Sequence, residues 1–210
     1  MASLHYISQS TPHLTQLEAI QTACEAGCRW IQLRMKDTDE SKIIETAFQA
    51  QKICEAFQAT LIINDYPNIA LAAQADGVHL GLDDFNHTKA RQLLGQNYII
   101  GGTANTIEDI RNYAAQGVID YLGVGPFRFT TTKKKLSPIL GIEGYTNIIQ
   151  QCRQEGISLP IIAIGGIELE DIPALMNTGV HGIAVSGLIT HAENKPALVG
   201  TIIEMLRPKL

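Results

Sequence analysis

Short apolar runs recur along this chain at a nearly constant interval. Their length and their spacing are typical of buried strands that are separated by other elements. There are eight such runs, at residues 4–7, 30–33, 61–63, 77–80, 98–100, 120–124, 161–164 and 182–185. The pattern therefore predicts eight short strands, one about every 26 residues.

Between most of these runs the apolar residues follow a helical spacing. One stripe ends at Gly27, a residue suited to a helix C-cap, and consists of Leu14, Leu17, Ile20 and Cys24. Thr106 and Asp109 form a capping-box-like start for a helix that ends before Gly117. Further stripes predict helices over about 39–58 and around residues 148–152, 172–176 and 198–206.

Strands that alternate with helices, without a break in composition, are typical of a parallel sheet. Eight strands favour a closed (β/α)8 barrel, although 210 residues are fewer than the ~250 typical of that fold. A doubly wound open sheet is the alternative, but residues 7–11 after the first run contain no glycine-rich dinucleotide fingerprint. We expect one α/β domain, a compact (β/α)8 TIM barrel over residues 1–210.

Composition narrows the classes of partner. The chain is 45% hydrophobic and 18% charged with a formal net charge of −5, which argues against general nucleic-acid binding. It shows no signal-peptide pattern and no apolar run near the ~20 residues of a membrane-spanning helix. The four cysteines lack the spacing of a zinc site, so we expect buried free thiols in a cytoplasmic protein.

One strongly polar segment follows the sixth run. Residues 129–135 read FTTTKKK and carry three hydroxyls and three ammonium groups, which cannot be buried without partners. They are suited to a loop, where they can donate hydrogen bonds to a phosphate or pyrophosphate. A solvated basic turn is an equal alternative when this segment is considered alone.

In a barrel of this kind the active site lies at the carboxyl ends of the strands. Asn64 and Asp65 follow the third run, and Asp83 and Asp84 follow the fourth. Neighbouring strands would bring Asp65 close to one of the other two carboxylates, and such a pair suits Mg²⁺ completed by waters and substrate phosphate. An ordinary turn aspartate remains the alternative for Asp65 by itself.

Other polar and small residues follow the remaining runs. Gln32, Arg34 and Lys36 alternate with apolar residues, which predicts that the three lie on one side of the second strand. Thr103 follows the fifth run, and small residues that allow close approach of a ligand follow the seventh and eighth, namely Gly165, Gly166, Ser186 and Gly187. With the 129–135 segment they suggest two phosphate positions at one mouth.

Five blocks of sequence, in order along the chain, resemble the thiamine phosphate synthase family. They are QLRMK at 32–36, IND at 63–65, GVHLG at 77–81, GVGP at 123–126 followed by TTTK at 130–133, and AIGGI at 163–167. The resemblance covers residues 4–190. It implies a barrel that couples 4-amino-5-hydroxymethyl-2-methylpyrimidine diphosphate to hydroxyethylthiazole phosphate and releases pyrophosphate.

The resemblance also implies roles for individual residues. The pyrimidine diphosphate would be held by Gln32, Arg34, Lys36 and Asn64. Mg²⁺ would be bound by Asp65 and Asp84, and Lys133 would grip the pyrophosphate. The thiazole phosphate would be bound by Thr130, Thr132, Gly166, Ser186 and Gly187, with Thr103 nearby.

The implied mechanism is dissociative: pyrophosphate leaves first, and the thiazole nitrogen attacks a pyrimidine methylene cation. Arg34, Lys36 and Lys133 would be catalytic because they stabilise the leaving group. A related thiazole tautomerase or a non-catalytic regulatory barrel are the alternatives. A homodimer is implied only by the family.

Three departures from the family pattern stand out. Thr103 replaces a usual serine, Leu82 replaces a usual glutamine, and Phe-Arg-Phe at 127–129 replaces the usual approach to the threonines. From the sequence, Arg128 could either add charge to the pyrophosphate end or face solvent. His79 is a candidate base, but a histidine at a strand end more often packs and hydrogen-bonds.

Overall fold

The chain folds as a closed barrel of parallel strands, described by a computed structural model for residues 2–129 and 138–207. Each strand pairs with its neighbours in chain order, and β1 pairs with β8 to close the ring. The strands are β1 Leu4–Ile7, β2 Trp30–Leu33, β3 Thr60–Asn64, β4 Gly77–Leu80, β5 Ile99–Ala104, β6 Tyr121–Val124, β7 Ile161–Ile164 and β8 Gly182–Val185. The predicted (β/α)8 barrel is confirmed, and the open sheet is excluded.

Helices follow the strands and form the outer layer. They are α1 Gln16–Glu25, α2 Glu40–Ala56, α3 Pro67–Ala72, α4 His87–Leu94, α5 Ile107–Gln116, α6 Gly141–Gln154, α7 Ile172–Thr178, α8 Gly187–Thr190 and α9 Lys195–Met205, with a 3-10 turn at Leu169–Asp171. The capping box of Thr106 and Asp109 is present at the start of α5, and Gly117 ends that helix at φ 63°. None of the described helices is long and apolar enough to cross a bilayer.

Two regions of apolar packing hold the barrel together. The larger lies between the outer faces of the strands and the helices, and the four buried, free cysteines belong to it. The smaller is a cluster of Trp30, Ile62, Tyr121, Ile162 and Ala184. These residues alternate along their strands with members of the larger cluster, so they fill the barrel interior.

Several boundaries differ from those that the sequence predicts. β3 begins at Thr60, and β5 continues to Ala104, beyond the predicted end at residue 100. Asp120 precedes β6 and accepts hydrogen bonds from the Ile100 amide (2.7 Å) and the Arg91 guanidinium (2.6 Å). β2 ends at Leu33, so Arg34 and Lys36 lie on a loop and the predicted strand alternation from Gln32 does not reach them.

Candidate active site

A cavity of about 1130 Å³ opens at the carboxyl ends of the strands. Its wall is formed by the segments that follow β1, β2, β6, β7 and β8. The residues of the predicted site that line it are Arg34, Lys36, Gly166, Ser186 and Gly187. The predicted cationic residues and the glycine-rich turns therefore share one opening.

The two predicted metal ligands meet beside this cavity, after β3 and β4. Asp65 has φ 70°, and its amide donates to the His79 carbonyl at 2.9 Å, which fixes the turn at the end of β3. Asp84 accepts a hydrogen bond from the Gly81 amide at 2.7 Å. The two carboxyl groups also lie close to each other, as the sequence predicts for Asp65 and one aspartate of the next loop.

Lys36 connects the acidic pair to the cavity. Its ammonium group donates a hydrogen bond to Asp65, and the residue also lines the cavity wall. The Lys36 side chain is 45% exposed, whereas that of Asp65 is 14% exposed. The lysine is thus open to a ligand while it partly neutralises the less exposed carboxylate.

The electrostatics of the acidic pair differ between its members. Burial raises the pKa of Asp65, the nearby Asp84 raises it further, and Lys36 opposes both. For Asp84, burial alone would raise the pKa, but hydrogen bonds with Asp65 and the Gly81 amide leave it lowered. Two carboxyl groups this close titrate as a pair, and Asp65 retains the proton more readily.

The acidic pair fits Mg²⁺ better than a metal that needs a full protein cage. Among the described residues no group of three or more His, Cys, Asp or Glu side chains could hold a metal ion. Two adjacent carboxylates are nevertheless what Mg²⁺ commonly takes from a protein, with waters and substrate phosphates as the other ligands. Asp65 and Asp84 fit that requirement.

A chain of polar side chains runs from the barrel interior to the mouth. Gln32 is buried in β2 and hydrogen-bonds the Tyr121 hydroxyl. Tyr121 Oη lies 3.0 Å from His79 Nδ1, and His79 Nε2 lies 3.0 Å from Thr103 Oγ1. Both ring nitrogens of His79 are therefore hydrogen-bonded within the protein. Asn64 is the last residue of β3, and it is 8% exposed.

His5 is also buried in the barrel, and the sequence analysis did not identify it. His5 stacks on Trp30 with ring centroids 4.0 Å apart and an interplanar angle of 2°. Burial, and then repulsion by His79, holds the pKa of His5 well below 6.5. Period-two alternation along β1 could have placed it inside the barrel.

The glycine-rich turns after β7 and β8 complete the mouth. Gly165 and Gly166 have φ values of 101° and 67°, a conformation that side chains disfavour. Ser186 donates a hydrogen bond to Gln9 Oε1 at 3.1 Å, so the β1–α1 loop reaches the β8 turn. Gln9 lines the cavity and was not among the predicted site residues.

Arg128 does not simply face solvent, because its side chain is bound by the loop after β7. Its guanidinium forms a two-pronged ion pair with Asp171, with both contacts at 3.0 Å, and lies 3.5 Å from Glu168. It also donates to the Gly166 carbonyl at 2.7 Å. The sequence could not indicate these contacts because the partners lie about 40 residues later, on another loop.

Three predicted residues, Thr130, Thr132 and Lys133, lie outside the described part of the chain. So do Thr131, Lys134 and Lys135. Their roles remain predictions.

Known proteins resemble this chain along nearly its whole length. A family model described as thiamine monophosphate synthase matches residues 4–189. A thiamine-phosphate synthase of Bacteroides fragilis is 52% identical over 192 residues, which cover 91% of this chain and 94% of that protein. Another from Bacteroides thetaiotaomicron is 49% identical over 207 residues, or 99% of each chain.

A solved structure gives the same match in three dimensions. A thiamine phosphate pyrophosphorylase from Pyrococcus furiosus superposes with a TM-score of 0.83 at 28% sequence identity. The match covers 97% of this chain and 95% of that one.

Proposed function

The chain belongs to the thiamine monophosphate synthase family, and on that basis we propose which of its residues carry the reaction. Its activity is that of a thiamine-phosphate synthase, a transferase. We infer that it couples 4-amino-5-hydroxymethyl-2-methylpyrimidine diphosphate to hydroxyethylthiazole phosphate and releases pyrophosphate.

One observation carries the assignment of the site. Lys36, after β2, is bonded to Asp65, which lies after β3 beside Asp84 of the next loop, and Arg34 lines the same cavity as Lys36. Such an arrangement suits a diphosphate, because its charge needs cations directly and a divalent metal for the rest. A site for neutral ligands would not need so many charges at one opening.

Asp65 and Asp84 would hold Mg²⁺. When bound, Mg²⁺ would neutralise charge on the departing pyrophosphate. Lys36 would contribute its ammonium group to the same anion, since it lies at the cavity wall and nearly half of its side chain is exposed. Arg34 would bind the anion from the same loop, and Lys133 would bind it from the part of the sequence between β6 and α6.

The pyrimidine ring would lie over the ends of β2, β3 and β5, near Gln32, Asn64 and Thr103. The Thr103 hydroxyl is hydrogen-bonded to one ring nitrogen of His79, and the other ring nitrogen is hydrogen-bonded to the Tyr121 hydroxyl. A hydroxyl held in this way can be oriented for one substrate group without a search among rotamers. His79 therefore supports the site and is not needed as a base.

The reaction would proceed by a dissociative path in which pyrophosphate leaves before the thiazole nitrogen attacks. This path asks for stabilisation of the leaving group and alignment of the nucleophile. Arg34, Lys36 and Lys133 would stabilise the leaving pyrophosphate. The residues that bind the phosphate of the thiazole substrate would align its ring nitrogen for attack. Those residues would be Thr130, Thr132, Gly166, Ser186 and Gly187.

Three further features are proposed from family membership and sequence alone. The chain would act as one barrel domain over residues 1–210, as a homodimer, and in the cytoplasm. Its partners would be the two phosphorylated small molecules.

A single assay tests the proposal. The purified full chain is incubated with both phosphorylated substrates, with Mg²⁺ or with a chelator, and thiamine phosphate and pyrophosphate are measured together. We expect equal amounts of the two products, formed only with the metal. Conversion of the thiazole phosphate alone into an isomer would indicate a tautomerase, and folded protein without any turnover would indicate a regulatory barrel.

A further inference from the structure

Arg128 connects two loops at the mouth of the barrel. It comes four residues after the end of β6, and its backbone amide donates to the Gly165 carbonyl at 2.9 Å. Its guanidinium then reaches forward to the Gly166 carbonyl at 2.7 Å and to Asp171 through two hydrogen bonds. Main chain and side chain of one residue therefore both bind the turn after β7.

The far end of this connection is itself fixed. The Asp171 side chain is only 12% exposed, and it also accepts a hydrogen bond from the Glu168 amide at 2.8 Å. Arg128 lies over the Phe127 ring, 5.2 Å from its centroid, and Phe127 is buried. An arginine held by a ring on one side and a fork-shaped ion pair on the other has few alternative rotamers.

The contact with the Gly166 carbonyl fixes a peptide plane. In a trans peptide the carbonyl of one residue and the amide of the next point in opposite directions. The amide that follows is that of Ile167, for which no acceptor is found among the described residues. Gly166 and Ile167 line the cavity, whereas Arg128 does not.

We propose that Arg128 is a positioning residue for the phosphate of the thiazole substrate. By holding the Gly166 carbonyl outward, it turns the Ile167 amide toward the cavity, where that amide can donate to a phosphate oxygen. Glycine at 165 and 166 allows the left-handed backbone that this arrangement needs. The inference rests on the proposed function, which places the thiazole phosphate at this turn.

The competing role for Arg128 is structural only. Arg111 offers a matched control, because it also forms a two-pronged ion pair, with Glu155 at 2.9 and 2.6 Å. Arg111 is on α5 and does not line the cavity. An effect common to both arginines would reflect a lost ion pair and nothing about the site.

The test compares Michaelis constants of the full chain for each substrate in Arg128→Gln, Arg128→Lys, Asp171→Asn and Arg111→Gln. For Arg128→Gln we expect KM for the thiazole phosphate to rise about tenfold, with kcat and KM for the pyrimidine diphosphate nearly unchanged. Arg128→Lys should recover part of the loss, because it keeps a donor but not the fork. Asp171→Asn should produce a smaller rise of the same kind, and Arg111→Gln none.

An unchanged KM for the thiazole phosphate in Arg128→Gln overturns the proposal, and so does an equal rise in both Michaelis constants. Ser186→Ala separates this failure from failure of the site assignment. If Ser186→Ala raises KM for the thiazole phosphate while Arg128→Gln does not, the phosphate position stands and only the role of Arg128 is rejected. If neither variant has an effect, the phosphate position itself is wrong.

Discussion

Lys36 donates a hydrogen bond to Asp65. The residue proposed to bind the pyrophosphate is therefore hydrogen-bonded to a residue proposed to bind the metal. The two residues lie 29 positions apart, on the loops after β2 and β3. Their charges are therefore not independent. Removal of either one changes the electrostatic environment of the other, and single variants must be interpreted with that coupling in mind.

The carboxylate of Asp65 is the first target for mutation. Asp65→Asn keeps the backbone at φ 70°, which asparagine tolerates, whereas alanine would add strain of about 1–2 kcal/mol. We expect kcat/KM to fall on the order of 100-fold, because one of the two proposed Mg²⁺ ligands is lost. Activity measured against Mg²⁺ concentration should show a higher half-saturating concentration.

Asp83→Asn is the matched control, since Asp83 neighbours Asp84 but has no proposed metal role. It should retain activity and an ordinary Mg²⁺ dependence. Full, magnesium-dependent turnover in Asp65→Asn would remove Asp65 from the metal site.

Lys133 is predicted to contact the pyrophosphate. Lys133→Ala should cost about 2–4 kcal/mol of transition-state stabilisation, seen as a loss of at least about 30-fold in kcat. Lys135→Ala, two residues on, should have little effect. Equal rates for both variants and the unaltered chain would mean that the segment is only a solvated turn.

Substitutions of Thr103 test the row of hydrogen-bonded side chains that runs from Tyr121 through His79 to Thr103. Thr103→Ser keeps the hydroxyl that lies 3.0 Å from His79 Nε2, and Thr103→Val removes it with little change in shape. We expect the serine variant to remain active and the valine variant to lose about tenfold in kcat/KM and ~1 kcal/mol in the free energy of unfolding. Steady-state kinetics and urea unfolding measure the two effects. Equal activities would show that only the shape of residue 103 matters.

Burial of His5 should make the free energy of unfolding depend on pH. Burial, followed by repulsion from His79, lowers its pKa well below 6.5 in the folded state, while the unfolded chain binds a proton near 6.5. The unfolded state therefore gains protons first as pH falls. This group should reduce the free energy of unfolding by about 1.4 kcal/mol for each pH unit below that value.

Urea unfolding of the full chain between about pH 5 and 6 provides the measurement. His5→Phe keeps a flat ring against Trp30 but cannot titrate, so its stability should fall less steeply. His13→Asn, at an exposed position, is the control. Parallel curves for His5→Phe and the unaltered chain would contradict the prediction.

Much of the fold follows from apolar spacing. Every predicted strand is present, because each short apolar run occupies a barrel strand that is buried on both faces. α3 was not predicted since six residues are too few to show helical periodicity, and α4 has a polar surface with few apolar positions. The adjacency of β3 and β4 predicted that Asp65 would lie near Asp83 or Asp84, and the choice of Asp84 came from the family resemblance.

Other features of the site depend on contacts that sequence spacing does not reveal. The partners of Arg128 are on the turn after β7, and Gln9 meets Ser186 from the opposite end of the chain. Lys36 was expected to bind the substrate diphosphate, and in the protein alone its partner is the Asp65 carboxylate. A long side chain can reach several neighbouring residues, and which of them it contacts is determined only when the strands have paired in register.

The pairing of β1 with β8 has a consequence for synthesis of the chain. The hydrogen bond from the Ile183 amide to the Ser3 carbonyl, 2.8 Å long, joins residues at the two extremes of the barrel. A ribosome makes one side of this seam long before the other, and until β8 emerges both β1 and β7 are open edges. Such edges can pair with another nascent chain. Premature termination within β8 should therefore lead to aggregation, and not to a stable seven-stranded sheet.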